Sequence, residues 1–378
     1  MLSIGTNLWP LARPPNPYLH KNRALESRAH VASLDILQQN MLTKNPQPFL
    51  PPDLVLYVID FIPPTSDTAK IAYEPSHILT RTLLALTLTS RIIYPTARRL
   101  LYTHCLYVDS PRRLRCLLSS LSAYTADLAA PQSLPPIESK PSTIQHETSL
   151  YLAPFLNDTI NDLPTAQAVH HLLSLLAPTL RRLVIDIPVR SLDPEGDTLG
   201  IRRVLKKAFT RLTSLELFCS VRYQMFLDYL EDNIGSFKGF EKANVWPLWP
   251  QLRTLALYNC DLSSERLWLG LSMAERLETL VLTRADGVRE VDFRSEWIAR
   301  VNGDRGLTVW FVDVDGGRGI PETIEEPDEG DKIKIMVGRV PTSYYGDEDV
   351  IELCQNWIKR LALKGEAAFQ EELRKLSM

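Results

Sequence analysis

One short pattern recurs four times in the second half of this 378-residue chain, and it restricts the fold more than any other feature. The copies are Leu180-x-x-Leu183-x-Ile185, Leu212-x-x-Leu215-x-Leu217, Leu252-x-x-Leu255-x-Leu257 and Leu277-x-x-Leu280-x-Leu282. In each, the last two apolar positions stand two residues apart, the spacing of one face of a strand. Between copies lie stretches with helical periodicity: AQAVHHLLSLLA (166–177), IRRVLKKAF (201–209) and RLWLGLSMAERL (266–277). A strand-helix unit of this size cannot bury its apolar face alone. The pattern therefore predicts an α/β chain in which units stack, with parallel strands side by side and helices on one face.

The third copy continues through Cys260 and Leu262 and completes the pattern LxxLxLxxCxL. It resembles the leucine-rich repeat, in an irregular form because the copies are unevenly spaced. A first, degenerate unit is expected at CLYV (105–108), followed by a helix started by Ser110-Pro111. LTVWFVDV (307–314) and KIKIMVG (332–338) read as strands flanking an acidic loop, GIPETIEEPDEGD. Residues 125–150, rich in Pro, Ser and Thr, read as a linker. The tail from Asp347 to Leu376 reads as an amphipathic helix capping the open end of the array. If the leucines point inward, Val184, Asp186, Glu216, Phe218, Ala256, Tyr258, Val281 and Thr283 point to the other face. Of these, Glu216, Phe218, Ala256, Tyr258, Val281 and Thr283 are expected to form one open patch that holds a protein target, with the two aromatics as anchors.

The first half carries a different signal, PFLPPDLVLYVIDFIPP (48–64). Pro51 and Pro52 preset a helix start, Asp53 suits the dipole of the first turn, and Pro63-Pro64 ends the helix. Leu54, Val58 and Ile62 make one apolar stripe, and Val55, Ile59 and Ile62 make a second. One stripe serves a core. The other, with Phe61 and Leu56, needs a cover from elsewhere in the chain or from another protein. A loop at 65–76, a second helix over Leu83–Arg91 and a third from Pro95 to about Tyr102 complete a small bundle over 48–104. Before it lies an N-terminal arm, 1–47, with a helix expected near 21–42.

Leu50-Pro51-x-Asp53-Leu54-Val55-x-x-Val58-x-x-x-Ile62, with LLALTLTSRIIYPTARRLLYTHCLYV (83–108) after it, resembles the F-box family in its fungal type. The loop between the first two helices is longer than in the compact version of that motif. The resemblance implies that Leu50, Pro51, Leu54, Val55, Val58, Ile59, Ile62, Leu86 and Ser90 contact a Skp-type adaptor, which links the chain to a cullin. It implies a substrate-recruiting, non-catalytic subunit of a ubiquitin ligase acting in ubiquitin-dependent protein degradation, with an unidentified protein target. The alternative is a repeat scaffold whose bundle packs on its own array and recruits no ligase.

Composition narrows the remaining classes. Cys105, Cys116, Cys219, Cys260 and Cys354 are odd in number and widely spaced, which fits reduced thiols and an intracellular chain, cytoplasmic or nuclear. No leader and no apolar run of about 20 residues is legible, so no membrane association is expected. Residues 1–120 hold 13 Lys or Arg against 7 Asp or Glu, a net +6 that leaves −9 for the remainder of a chain of net charge −3. The basic residues are scattered and not interleaved with aromatics, a pattern that suits an acidic protein partner and not nucleic acid. No GxSxG, HExxH, phosphate loop or GxGxxG occurs, so no catalytic residue, cofactor or metal is expected. His170 and His171 are helix neighbours that point about 100° apart, a poor metal pair. DVDGG (313–317) is a poor match to a calcium loop, and Asn157-Asp158-Thr159 reads as an ordinary loop.

Overall fold

The computed structural model describes residues 50–64, 70–129, 146–225, 227, 245–301, 305–321, 332–343, 348–365, 369 and 371–373. The helix expected near 21–42, most of the linker and the acidic loop lie outside the described residues. The chain divides into residues 1–51 and 52–378, and the description below concerns the second unit.

Three helices come first: α1 (Pro52–Asp60), α2 (Ile78–Thr87) and α3 (Tyr94–His104). Eight strands follow: β1 (Leu106–Val108), β2 (Thr148–Leu152), β3 (Leu180–Ile185), β4 (Leu217–Ser220), β5 (Thr254–Tyr258), β6 (Thr279–Thr283), β7 (Leu307–Val314) and β8 (Ile333–Val340). They form one sheet in which every pairing is parallel and the spatial order is the order of the chain. Between strands run α4 (Pro111–Ala129), α5 (Leu163–Leu176), α6 (Ile201–Phe209), α7 (Glu265–Met273) and α8 (Phe293–Arg300), and α9 (Val350–Leu363) comes last.

Register explains the leucines. Leu106, Leu150, Leu183, Phe218, Leu255, Leu280, Val309 and Ile335 are consecutive partners across all eight strands, and they belong to the core shared with α4–α8. Each fully buried Leu in that row contributes roughly 1.5–3 kcal/mol of transfer free energy. Two tryptophans fill the widest gaps and pair their N–H groups: Trp249 Nε1 donates to the Phe209 carbonyl at 2.8 Å, and Trp268 Nε1 to the Leu262 carbonyl at 2.7 Å. Cys260 and Leu262 are fully buried in the same core.

The structure departs from the sequence pattern in four places. The second copy is framed three residues later than the leucines propose. Glu216 N donates to the Arg181 carbonyl, and Arg253 N to the Glu216 carbonyl, so Glu216 follows Leu215 as Arg181 follows Leu180 and Arg253 follows Leu252. The true copy is Leu215-x-x-Phe218-x-Ser220. Phe218 is therefore a core residue, fully buried and 4.8 Å from the Trp249 ring. Second, β2 lies inside the stretch read as linker, and α4 runs on to Ala129. Third, α2 begins five residues before Leu83, because His77 Nδ1 accepts from Leu79 N at 3.2 Å and caps it. Fourth, α9 does not cap the end of the array: it packs on the second face of the sheet, against β3, β7 and β8.

Candidate functional site

Helix α1 presents two opposed apolar faces. Ile59 is buried with Tyr73, Leu79, Leu83 and Leu100 in a small core of its own, and Val55, Ile62 and Leu86 pack half-buried against it. That face uses the i, i+4, i+7 stripe Val55, Ile59, Ile62. The opposite stripe, Leu54 (51 % exposed), Tyr57, Val58 (57 %) and Phe61 (67 %), is uncovered by the described residues. Tyr57 and Phe61 stack edge to face with ring centroids 4.7 Å apart. A nine-residue helix with four large exposed apolar side chains is an unusual use of surface, since aromatic and aliphatic groups clustered in the open mark contact sites. The anchor of α1 is polar: Asp60 is ion-paired to Arg99 of α3.

The residues assigned to an adaptor by resemblance divide accordingly. Leu50, Pro51, Leu54 and Val58 are exposed. Val55, Ile62 and Leu86 are half-buried and support the helix from inside. Ile59 is 3 % exposed and faces the small core, so the assignment of a partner contact to it is corrected. Ser90 is half-buried, and its Oγ accepts Ile92 N at 3.2 Å, which shapes the turn into α3. Tyr57 shares the open stripe and was not singled out in the sequence. Its signal was available as the i+3 partner of Leu54.

The loop between α1 and α2 is not free. Its second half, Ile71-Ala72-Tyr73, is buried. Ile71 N donates to the Leu363 carbonyl of α9 at 3.0 Å, and Tyr73 N to the His104 carbonyl of α3 at 2.9 Å. Ile71 belongs to the core under α9 and Tyr73 to the core of the three helices, so the extra loop residues tie those helices to α9. Burial, with Arg182 and Arg99 nearby, lowers the His104 pKa to about 4, so its imidazole is neutral at pH 7.

The second sheet face carries the row Tyr107, Tyr151, Val184, Cys219, Ala256, Val281, Trp310 and Met336. Cys354, Ile358, Leu361, Ala362 and Leu363 of α9, with Phe369 and Leu373 beyond it, are buried in the core built on this face. Tyr258 is 3 % exposed, and Ala256, Val281 and Thr283 are buried with it. The expectation of an open patch of Glu216, Phe218, Ala256, Tyr258, Val281 and Thr283 is thus overturned. Phe218 lies on the opposite face, four of the others are buried, and Glu216 sits outside the row beside Arg181 at 3.3 Å. A helix with several apolar residues on one face gains more from covering an apolar sheet than the sheet would gain from solvent.

A polar cluster fixes α9 on this face. Asp186 accepts from Tyr151 Oη at 3.0 Å and from Lys359 Nζ at 3.2 Å, and is ion-paired to Arg222, which also pairs with Asp158. Burial works against the Asp186 carboxylate, yet Arg222 and Lys359 outweigh it and hold its pKa below the usual carboxylate value. Burial also pushes the Cys354 thiol up to about 12, with Asp313 adding to the effect, so it is no nucleophile at neutral pH. Asp313 accepts Gly319 N at 3.0 Å and lies so close to Gly317 that a Cβ there would meet its carboxylate, so DVDGG is a tight turn around a buried acid. Among the described residues no group of acids, cysteines and histidines is placed to hold a metal, and no helix is long and apolar enough to cross a membrane.

No family model, curated protein or solved structure matches the chain.

Proposed function

We propose that this chain is the substrate-recruiting F-box subunit of a cullin-type ubiquitin ligase, with α1–α3 as the F-box bundle and the strand-helix units as a leucine-rich-repeat-like array. The observation that carries the proposal is the uncovered stripe Leu54, Tyr57, Val58 and Phe61 on a helix whose other face already fills a core. The Skp-type adaptor covers that stripe and brings the cullin. The chain itself is non-catalytic, binds no cofactor, and works in the cytoplasm or nucleus. Its contribution to ubiquitin transfer is effective concentration: a target held by the array is kept near the ligase's catalytic subunits. The tie through Ile71 and Tyr73 supports such a bridge, because it leaves little free play between the adaptor end and the sheet. With the second sheet face closed by α9, the target is held by other surfaces.

Co-expression of the tagged full chain with a Skp-type adaptor tests the reading. The adaptor is expected to co-purify with wild type, and a Leu54→Ala/Val58→Ala variant is expected to lose it while remaining folded. An adaptor absent from the wild-type eluate, or retained equally by the variant, contradicts the proposal.

A further inference from the structure

Both sheet faces are covered, so the openings that remain lie at the strand ends. One is a pocket of about 220 Å³ beyond the carboxyl ends of β3 and β4, the location at which parallel α/β sheets commonly bind ligands. Three arginines line it, Arg190, Arg202 and Arg266, together with Tyr223, Gln224 and a single carboxylate, Asp193. The formal charge of this lining is three cations against one anion.

Two of the polar groups are built in. Arg202 is 4 % exposed, and its Nη1 donates to the carbonyls of Val189 at 3.1 Å and Leu192 at 2.7 Å, so the loop after β3 fixes the guanidinium at the pocket wall. Those acceptors are neutral and leave the charge in place. Gln224 is likewise buried, and its Oε1 accepts Asp261 N at 3.3 Å. The bond commits the oxygen and leaves the amide NH₂ as the end that can donate into the pocket. Arg190 lies 5.6 Å over the Tyr223 ring and makes no ion pair among the described residues.

Guanidinium and amide NH₂ groups are donors only, so the ligand must accept hydrogen bonds and carry negative charge. Size sets the second limit. With a water occupying roughly 30 Å³ of liquid, the pocket holds about seven water volumes, below the range of about 300 Å³ and above for drug-sized ligands. We infer that the pocket binds one oxyanion, a phosphate or carboxylate group, with Arg190 and Arg202 as charge partners and Gln224 as the orienting donor. A nucleotide or a larger cofactor exceeds it. The inference is independent of the ligase reading and stands or falls without it.

The test is a titration of the full chain, in buffer otherwise free of oxyanions, with inorganic phosphate and with N-acetyl-phosphoserine amide, at constant ionic strength held by chloride. Saturable binding is expected by calorimetry. Arg190→Ala is expected to weaken it about tenfold, Gln224→Met is expected to weaken it also, and Arg115→Ala, an exposed arginine on α4, is expected to leave it unchanged. Far-UV circular dichroism checks that each variant is folded. Tighter binding of the phosphoserine amide supports an anion presented on a protein, and tighter binding of inorganic phosphate supports a free anion. Absence of saturation with both probes, or equal affinities in wild type and folded Arg190→Ala, overturns the inference.

Discussion

Asp186 joins three parts of the molecule that are far apart in the chain, for its partners Arg222 and Lys359 lie 36 and 173 residues away. Replacing it with Asn keeps the shape but leaves two partly buried cations poorly matched. The expected cost is about 2–3 kcal/mol in urea unfolding at pH 7. Because its folded pKa lies below 3.8, the stability it supplies is present above that pH and is lost as pH falls further. His104 acts in a different window. Its pKa is 6.5 in the unfolded chain and about 4 when folded, so between those values the unfolded state binds the extra proton. Stability therefore falls as pH is lowered from 6.5 toward 4, and His104→Gln is expected to lose less stability than wild type between pH 7 and pH 5. An identical loss would remove His104 from the account. Neither residue's role was legible in the sequence. Asp186 could be assigned a face from strand alternation, but its partners are set by tertiary structure.

Elements were more legible where periodicity and punctuation agreed. IRRVLKKAF and LTVWFVDV became α6 and β7 with the expected boundaries, because each has one consistent apolar period. The second leucine copy misled because Leu212, Leu215 and Leu217 satisfy the pattern while Phe218 is the residue that fits between Leu183 and Leu255. Hydrophobicity alone does not distinguish these frames, whereas the volume beside Trp249 does. Strand β2 was hidden by its Pro- and Ser-rich surroundings, although Leu150 and Leu152 alternate with Tyr151. The loop segment Ile71-Ala72-Tyr73 gave no periodic signal, yet it behaves as a structural element. Ile71→Ala is expected to cost about 2–5 kcal/mol by removing a side chain with no exposed surface from the core under α9. A loss below about 0.5 kcal/mol, the range of surface changes, would mean that the loop is not a tie. By contrast, Leu54→Ala/Val58→Ala removes exposed groups and is expected to leave the melting temperature nearly unchanged.

At the scale of the whole molecule, the sheet is covered on both faces, by α4–α8 and by α9, while α1 keeps an apolar stripe in the open. The eight-strand parallel order follows from repeated leucines that can be buried only by stacking. The covering of the second face was less legible: α9 is recognisable as amphipathic, but its pattern does not say which surface it meets. Closure changes where a partner can bind, leaving α1 and the strand-end pocket as the surfaces argued from structure. The central claim is that α1 is a docking helix. Hydrogen exchange of the full chain, with and without a saturating Skp-type adaptor, reads it directly. The account predicts strong added protection of the amides from Leu54 to Phe61, with α9 unchanged in both states. Unchanged exchange across α1 under conditions of demonstrated complex formation, or protection confined to the array, would contradict it.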